Sequence, residues 1–503
     1  MLFMAGDTLI ELADRLSGKV MISSEIKASD LGDVDAESLI AHITDHFENR
    51  DGMKVLGMPE LREILAKIGK NKEPVQIEVV RSGDFKPLAK DIDARYAIRD
   101  TPIGRTNNTV GDFTDHFRDR FNKIKALMKA GAGGGGTINI GAMNQYISGR
   151  EMGIIGMVYE RKVTKNGHVM ITLEDESGTA KVLAYKPQAK GRDQANELFD
   201  LASKAIKDDI LYIKGKVSGP FFIANKILWP DIPIRVRRRS EDDIAIALIS
   251  DIHVGNKLFL EKQFGKFLEW LNGGVDNRKD LAGKIKYLVV GGDLVDGVGV
   301  YPGQEKELNI DDIYKQYSVF FDFMESVPDY IEVFVLPGNH DAVQRAEPQP
   351  QIGRKMLGDF ARANVHSVAN PCYLNLHGVK VLSYHGASLD SVIQNIPGCS
   401  YSNATSAMKE ILKRRHLASI YGTAVITPCK NDSLVIDEVP DILHMGHIHK
   451  NGYDEYHGTA LVNSGTWQAR TSFQIKQGHI PTPALLSVYE AKTTTVSHVD
   501  FNG

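Results

Sequence analysis

Five short segments in the C-terminal half of the chain each run from aliphatic residues directly into side chains that bind metal. They read IALISDIHVG, YLVVGGDLVDG, VFVLPGNHDA, VLSYHGAS and ILHMGHIHKN. Together they offer Asp251, His253, Asp293, Asn339, His340, Asp341, His385, His447 and His449. The runs that precede these residues, such as Ile244–Ile249 and Tyr287–Val290, read as buried parallel strands, which calls for a layered α/β fold. In open α/β sheets, sites form in the crevice at the carboxyl ends of the strands, so segments far apart in sequence can meet there. Gly292, Gly338 and Gly446 directly precede Asp293, Asn339 and His447, and Gly386 follows His385, where glycine admits sharp turns. The set can hold two divalent cations with a histidine to spare, and paired cations hydrolyse phosphate esters. Mixed His, Asp and Asn without thiolate suits Mn, Fe, Zn or Co rather than a soft metal. The plainer reading, histidines satisfied by backbone in an ordinary core, requires five coincidences in order.

Length and composition bound the rest. A chain of 503 residues is too long for one domain, and about three are expected. A content of 42% hydrophobic and 25% charged residues is that of an ordinary globular protein, with no apolar stretch long enough to span a bilayer. No membrane association is therefore expected. The opening MLFMAGDTLIELADRL carries acidic residues and no basic start, unlike a secretory signal. Cys372, Cys399 and Cys429 form no CxxC pair, so a reducing, cytoplasmic compartment is expected and a zinc ribbon is not. The formal net charge of −4 argues against a protein whose main task is gripping duplex DNA. Any nucleic-acid affinity must be local or supplied by a partner.

Four regions follow one another. Residues 1–70 carry TLIELADRL, ESLIAHITDHF and PELREILAKIG, apolar at helical spacing, and read as a small helical domain. Residues 71–136 read as a linker with one helix, FTDHFRDRFNKIKALMKA, ending in the flexible run GAGGGG. That run lacks the Lys-Ser/Thr of a phosphate-binding loop. On this reading residues 1–136 are a tethered appendage, removable without loss of assembly. Residues 137–238 alternate apolar and polar positions, with Asn166-Gly167 as a hairpin turn. Strand, hairpin, strand, helix, strand, strand is the layout of an OB-fold barrel. Tyr159, Tyr185, Phe221, Phe222 and Trp229 are candidates for stacking single-stranded bases, although barrel core is the simpler role. The metal-bearing domain fills 239–503. The basic run IPIRVRRR leading into it reads more simply as a solvated linker than as a phosphate contact. Two insertions, DGVGVYPGQEKELNIDD and the stretch from Ser388 to Gly422, leave strand ends and should overhang the site. The second holds Lys413, Arg414, Arg415 and His416, candidates for holding a nucleic-acid strand or a solvated helix end.

Asp-x-His, Gly-Asp, Gly-Asn-His-Asp, a lone His and Gly-His-x-His, in this order, resemble the calcineurin-like metallophosphoesterase superfamily. The resemblance implies a C-terminal β-sandwich flanked by helices, preceded here by the OB-fold barrel and the small helical region, in a multidomain α/β chain. It also implies roles. Asp251, His253 and His449 would hold one metal, and Asn339, His385 and His447 a second. Asp293 would bridge both. His340 would stabilise or protonate the leaving oxygen. Asp341 would orient the His340 ring or serve a plain structural role. Asp296 reads as a turn or supporting group rather than a ligand. The superfamily favours manganese, with magnesium, iron or zinc as alternatives. The barrel-first domain order, with VDGVGVYPGQEKEL, LKRRHLASIYG, VIDEVPDILHMGHIH and VNSGTWQARTSFQ, is similar over roughly residues 140–503 to the small subunits of archaeal family D DNA polymerases. That likeness implies a proofreading 3′–5′ exonuclease acting on single-stranded or frayed 3′ DNA. It further implies a large catalytic subunit as partner, in a heterodimer or heterotetramer, and leaves a sliding clamp open as a further contact. The accessory subunits of eukaryotic replicative polymerases share the architecture without the metal ligands, whereas this chain keeps every one. The alternatives are a stand-alone phosphodiesterase or phosphatase and a non-catalytic scaffold subunit.

Overall fold

The computed structural model describes residues 12, 15, 16, 20–27, 36–48, 54–70, 84–131, 136–145, 149–187, 194–422 and 424–502. The core of the glycine run, residues 132–135, lies outside them. The chain divides into two units, Met1–Ile77 with Glu307–Asp311, and Glu78–Lys306 with Asp312–Gly503. In the first, helices α1 (Ala36–Glu48) and α2 (Met58–Lys70) accompany two short parallel strands, β1 (Met21–Ile22) and β2 (Val55–Leu56). Leu39, Ile43 and Phe47 of α1 recur at helical spacing and bury their side chains with Leu61 and Ile64 of α2.

The second unit begins with a departure from the expected linker. Tyr96–Asp100 forms strand β3, and Val110–Ala130 forms helix α3. Thr109 caps α3 and exchanges hydrogen bonds with Asp112, satisfying amide groups that the first turn leaves free. Phe121, Ile124 and Met128 of α3 pack against Ile155, Ile210 and Tyr212 on one side and Val435 on the other.

After β4 (Thr137–Ile138), strands β5 (Glu151–Val163), β6 (Val169–Asp175), β7 (Gly178–Ala184), β8 (Ile210–Ser218) and β9 (Phe221–Leu228) form a sheet in the order β4-β5-β6-β7-β9-β8, which β5 closes onto β8. The result is a five-stranded barrel, with helix α4 (Gln194–Lys204) between its third and fourth strands. The turn between β5 and β6 holds Gly167 at φ 77°, where a side chain would be strained. Alternating residues such as Ile154, Val169, Ile171, Leu173 and Val182 fill the barrel. Of the five aromatic residues, Phe222 and Trp229 are core, whereas Tyr159 and Tyr185 are exposed.

The C-terminal region is two six-stranded sheets. One runs β13 (Val365–Ser367), β12 (Glu332–Leu336), β11 (Ile285–Gly291), β10 (Ala245–Ile249), β19 (Leu485–Glu490), β20 (Thr495–Asp500). The other runs β17 (Gly452–Tyr456), β18 (Thr459–Asn463), β16 (Ile442–Met445), β15 (Val379–Ser383), β14 (Cys372–Leu376), β3. The central strands of each are parallel, as their continuous apolar runs require. Ile246, Leu248, Val289 and Phe334 of one sheet meet Leu374, Val381, Ile442 and Val462 of the other in one core. The metal-bearing segments thus leave two facing sheets, three from the first and two from the second, rather than neighbouring ends of one sheet. Helices α5 (Glu261–Leu271) and α6 (Ile313–Glu325) contribute Phe264, Phe267, Phe320 and Phe323 to the core, and Phe264 and Phe267 lie against Trp467. Leu389 and Val392 of α7 (Leu389–Asn395) and Met408, Ile411 and Leu412 of α8 (Ala404–Arg414) pack with Leu382, Leu443 and Leu461 of the second sheet. No described helix is long and apolar enough to cross a membrane.

The basic cluster at the end of α8 is an internal seam rather than a nucleic-acid surface. Arg414 and Asp209 are buried, with Nε 2.8 Å from Asp209 Oδ1, and Trp229 Nε1 donates to the same carboxylate at 3.0 Å. Arg415 donates to the Ile436 and Asp437 carbonyls. His416 Nε2 donates to buried Asp432, which also receives Arg120 Nε at 2.6 Å. Lys413 lies over the Trp229 ring, 4.2 Å from its centroid. Desolvating these charges is tolerable only because each finds a partner. They lock α3, the barrel and the sandwich together, so none of Arg414, Arg415 and His416 is free to hold a strand.

Candidate metal centre

Each ligand follows the carboxyl end of a motif strand, and the backbone there is unusual. Asp251, His253, Asp293, His447 and His449 have φ of 54°, 55°, 51°, 70° and 56°. Side-chain-bearing residues seldom occupy this left-handed region, and such strain concentrates at functional sites. The motif glycines divide by cause. Gly292 and Gly386 have positive φ, while Gly338 and Gly446 are needed for close approach: a Cβ would collide with the carboxylates of Asp293 and Asp251 respectively.

Two pockets result. In the first, His253 Nε2 is 3.1 Å from His449 Nε2, and His449 Nε2 is 3.4 Å from Asp251 Oδ1. In the second, Asn339 Oδ1 is 2.9 Å from His385 Nε2 and 3.0 Å from His447 Nδ1. Asp293 lies between them, with Oδ2 3.8 Å from His253 Nε2 and 3.4 Å from His385 Nε2. Ligand atoms bound at about 2.1 Å to one cation stand roughly 3.0–3.4 Å apart in octahedral or tetrahedral geometry. The observed spacings within each pocket fit that test, and the donor chemistry suits hard to borderline divalent cations. The structure brings the seven expected ligands close together: Asp251, His253 and His449 form one cluster, Asp293 lies within reach of Asp251 and His385 and also of His253 and His340, and Asn339 touches His385 and His447.

The outer nitrogens of the rings are held by residues that the sequence did not single out as supports, except Asp296. His253 Nδ1 donates to the Asp296 carboxylate at 3.1 Å, and His385 Nδ1 donates to the Gly291 carbonyl at 2.9 Å. His447 Nε2 donates to Asp390 Oδ2 at 3.0 Å, and the Gln474 carboxamide lies 2.9 Å from His449 Nδ1. Such partners fix ring orientation and raise ligand basicity. No local motif gives Asp390 or Gln474 a role as a ring support: Asp390 was legible only as part of an insertion expected to overhang the site, and Gln474 only as the last residue of VNSGTWQARTSFQ.

His340 stands beside this cluster. Its ring packs edge-on to His253 with centroids 4.8 Å apart, and Tyr301 of the first insertion lies 6.1 Å away. Its Nδ1 donates to the Asp296 carbonyl at 2.8 Å, leaving Nε2 without a partner among the described residues. Asp341 does not orient that ring. Its buried carboxylate instead accepts from Gly338 N–H at 2.7 Å, Tyr317 Oη at 2.9 Å and Leu294 N–H at 3.2 Å, bracing the turns that carry Asn339 and Asp293.

Charge in the site is tightly balanced. Burial alone would raise the Asp293 carboxyl, but the imidazoles of His385, His340 and His253 hold it well below its usual range. Burial disfavours charge on His253 and His385, yet the surrounding carboxylates push them up to about 8 and about 10. Burial, then Asp293, pushes Asp341 up to about 7. A metal-free site therefore retains protons that a cation must displace, which makes metal binding pH-dependent.

The comparisons with known proteins agree on a family. The family of B-type subunits of DNA polymerases alpha and epsilon matches residues 246–453. A DNA polymerase II small subunit of Archaeoglobus fulgidus is 41% identical over 76% of this chain and 75% of its own. Those of Methanocaldococcus jannaschii and Pyrococcus furiosus are 38% and 34% identical, over 80% and 90% of this chain and 68% and 75% of their own. Among solved structures, an archaeal phosphodiesterase is similar at 13% identity, covering 51% of this chain and 99% of its own, with a TM-score of 0.27. Vps29 from Entamoeba histolytica, in complex with zinc, is similar at 17% identity over 52% of this chain and all of its own, with a TM-score of 0.24. Those two scores are too low to bear on activity. The relatives, matched at 34–41% identity along most of their length, decide the matter: the chain belongs to the family of DNA polymerase II small subunits, the small subunits of archaeal family D DNA polymerases.

Proposed function

We propose that this chain is a metal-dependent 3′–5′ exodeoxyribonuclease that proofreads for a large catalytic polymerase subunit, with its barrel an OB fold and its sandwich a calcineurin-like phosphoesterase domain. The observation that carries this reading is the pair of ligand pockets sharing Asp293, with His340 Nε2 open beside them. Asp251, His253 and His449 would hold one cation, Asn339, His385 and His447 the other, and Asp293 both. Manganese is the preferred ion, with magnesium, iron or zinc as alternatives. When bound, such a pair polarises a phosphoryl group and lowers the pKa of a water.

The chain's own residues do the rest. The Asp296 carbonyl fixes the His340 tautomer, so Nε2 faces the site. With Nδ1–H donating to the Asp296 carbonyl, Nε2 would give a proton to the departing 3′ oxygen only from the imidazolium, which burial disfavours and the Asp293 carboxylate favours, and which passes that proton on readily. Asp341 keeps the turns before Asn339 and after Asp293 in place. An acidic chain needs little grip on duplex DNA if the large subunit supplies a frayed 3′ end.

The test is incubation with 3′- and 5′-labelled single-stranded DNA and manganese. Stepwise shortening from the 3′ end is expected, reduced by orders of magnitude in Asp293→Asn. A metal-replete protein that leaves DNA intact would overturn the reading in favour of a scaffold. Release of phosphate from a phosphopeptide, without DNA degradation, would favour a phosphatase.

A further inference from the structure

The metal centre has a lip that the proposed chemistry does not use. Helix α9 (Ser472–Lys476) and the turn after it, to Ile480, carry Phe473, Ile475 and Ile480 at 64%, 58% and 67% exposure. Three large apolar side chains in so short a stretch are poorly placed for solvent. The stretch is tied to both pockets. Gln474 reaches the ligand His449, as described above. His479 stacks on Tyr401 with ring centroids 4.0 Å apart, and Tyr401 Oη donates to Asp390, the carboxylate that holds the ligand His447. Lys450 Nζ donates to the Ile480 carbonyl at 3.3 Å. Phe473 therefore sits one residue, about 3.8 Å along the backbone, from a side chain in contact with a metal ligand. Charge is locally one-sided. From His457 to Tyr489 the chain contains no Asp or Glu, and it presents exposed Arg470 and Lys476, although the whole protein is net negative.

An exposed aromatic with aliphatic neighbours and exposed cations, beside a centre proposed to cleave phosphodiesters, is the combination that holds single-stranded nucleic acid: rings stack on bases and cations follow the phosphates. We propose that residues 470–480 guide the substrate strand. Phe473 stacks on a base near the scissile linkage, Ile475 and Ile480 extend the platform, and Arg470 and Lys476 meet the backbone. This rests on the nuclease reading above and names the residues that position its substrate.

The test uses the full chain with manganese and a single-stranded oligonucleotide, intact or carrying one abasic site at successive positions from the 3′ end. Phe473→Ala should raise KM about 5- to 100-fold with kcat largely kept, and Phe473→Trp should restore it. At one position, an abasic site should raise the wild-type KM to that of Phe473→Ala and add nothing further in the variant. An unchanged KM in Phe473→Ala overturns the proposal. So does a fall in kcat or in manganese affinity without a KM change, which would make the lip a support for Gln474. Weakened co-purification with the large subunit at unchanged KM would make it a protein-docking surface and likewise overturn it. Wild-type protein that binds manganese and cleaves no oligonucleotide would instead sink the nuclease reading itself.

Discussion

At the scale of single residues, the candidate centre separates groups placed to hold metal from groups that support them. Asp390 is the clearest of the second kind. Burial raises its carboxyl, but His447 and Tyr401 draw it below its usual range, so it faces the ring as a carboxylate. Asp390→Ala should lower the affinity of the pocket at His447 by 10- to 100-fold, measured by calorimetric titration with manganese, while the pocket at His253 changes little. Equal loss at both pockets, or none, would refute the division. His340 is assigned differently: it lies within reach of His253 and Asp293, but its Nδ1 is taken by the Asp296 carbonyl and its Nε2 is left for the leaving oxygen. His340→Ala should retain both cations by elemental analysis and still slow DNA cleavage by about 10²–10⁴-fold. Loss of metal would mean that His340 is a ligand.

At the scale of elements, the unexpected strand is the most consequential. β3 pairs antiparallel with β14, Tyr96 opposite Leu376 and Asp100 opposite Cys372, and closes one edge of the second sheet. Arg99 pairs with Asp437 at 2.9 Å and lies over the Tyr373 ring. Removing residues 1–136 would strip that edge and also α3, with Arg120, leaving Asp432 short of a cation in a buried place. Such a truncation should lower the unfolding temperature sharply or yield insoluble protein. Removing only residues 1–77 should leave the unfolding of the remainder close to that of the full chain. Comparable melting of both truncations would restore the tethered-appendage view. The seam between barrel and sandwich is equally testable. Arg414→Ala leaves Asp209 buried without its cation, a change that costs about 3–5 kcal/mol and would appear in urea unfolding as a lower midpoint.

At the scale of the whole molecule, one buried cluster couples distant segments and makes stability depend on pH. Asp432 joins Arg120 and His116 of α3 to His416 after α8. His416 Nδ1 accepts the Ala418 N–H and Nε2 donates to Asp432, so the ring is neutral. Burial, then Arg120, pushes its pKa down from 6.5 to about 4. The unfolded chain binds this proton more readily, so the contribution is fully present above about pH 6.5 and is lost as pH falls towards 4. The unfolding temperature should fall over that window, and in His416→Gln the slope should be shallower by up to one proton. An unchanged slope would show that another group controls the window.

The sequence by itself determined the chemistry of the centre, because its ligands are local. Each strand run ends in its own donor within a few residues, so the donor set, the strands that carry it and the barrel hairpin at Asn166-Gly167 are written in short stretches. It did not reveal that the donors leave two facing sheets, because an apolar run does not name its neighbours. It read Tyr96–Asp100 as linker, since those five residues are mostly exposed, too short a run to show a period, and their partner strand lies far along the chain. It read Arg414, Arg415 and His416 as surface, since the carboxylates that pair with Arg414 and accept from His416, Asp209 and Asp432, are supplied by other parts of the fold. Asp390 and Gln474 escaped notice as ring supports for the same reason. A ligand's identity depends on side-chain type, which sequence states outright. Burial, pairing and orientation depend on what the folded chain brings alongside, and only the tertiary structure decides that.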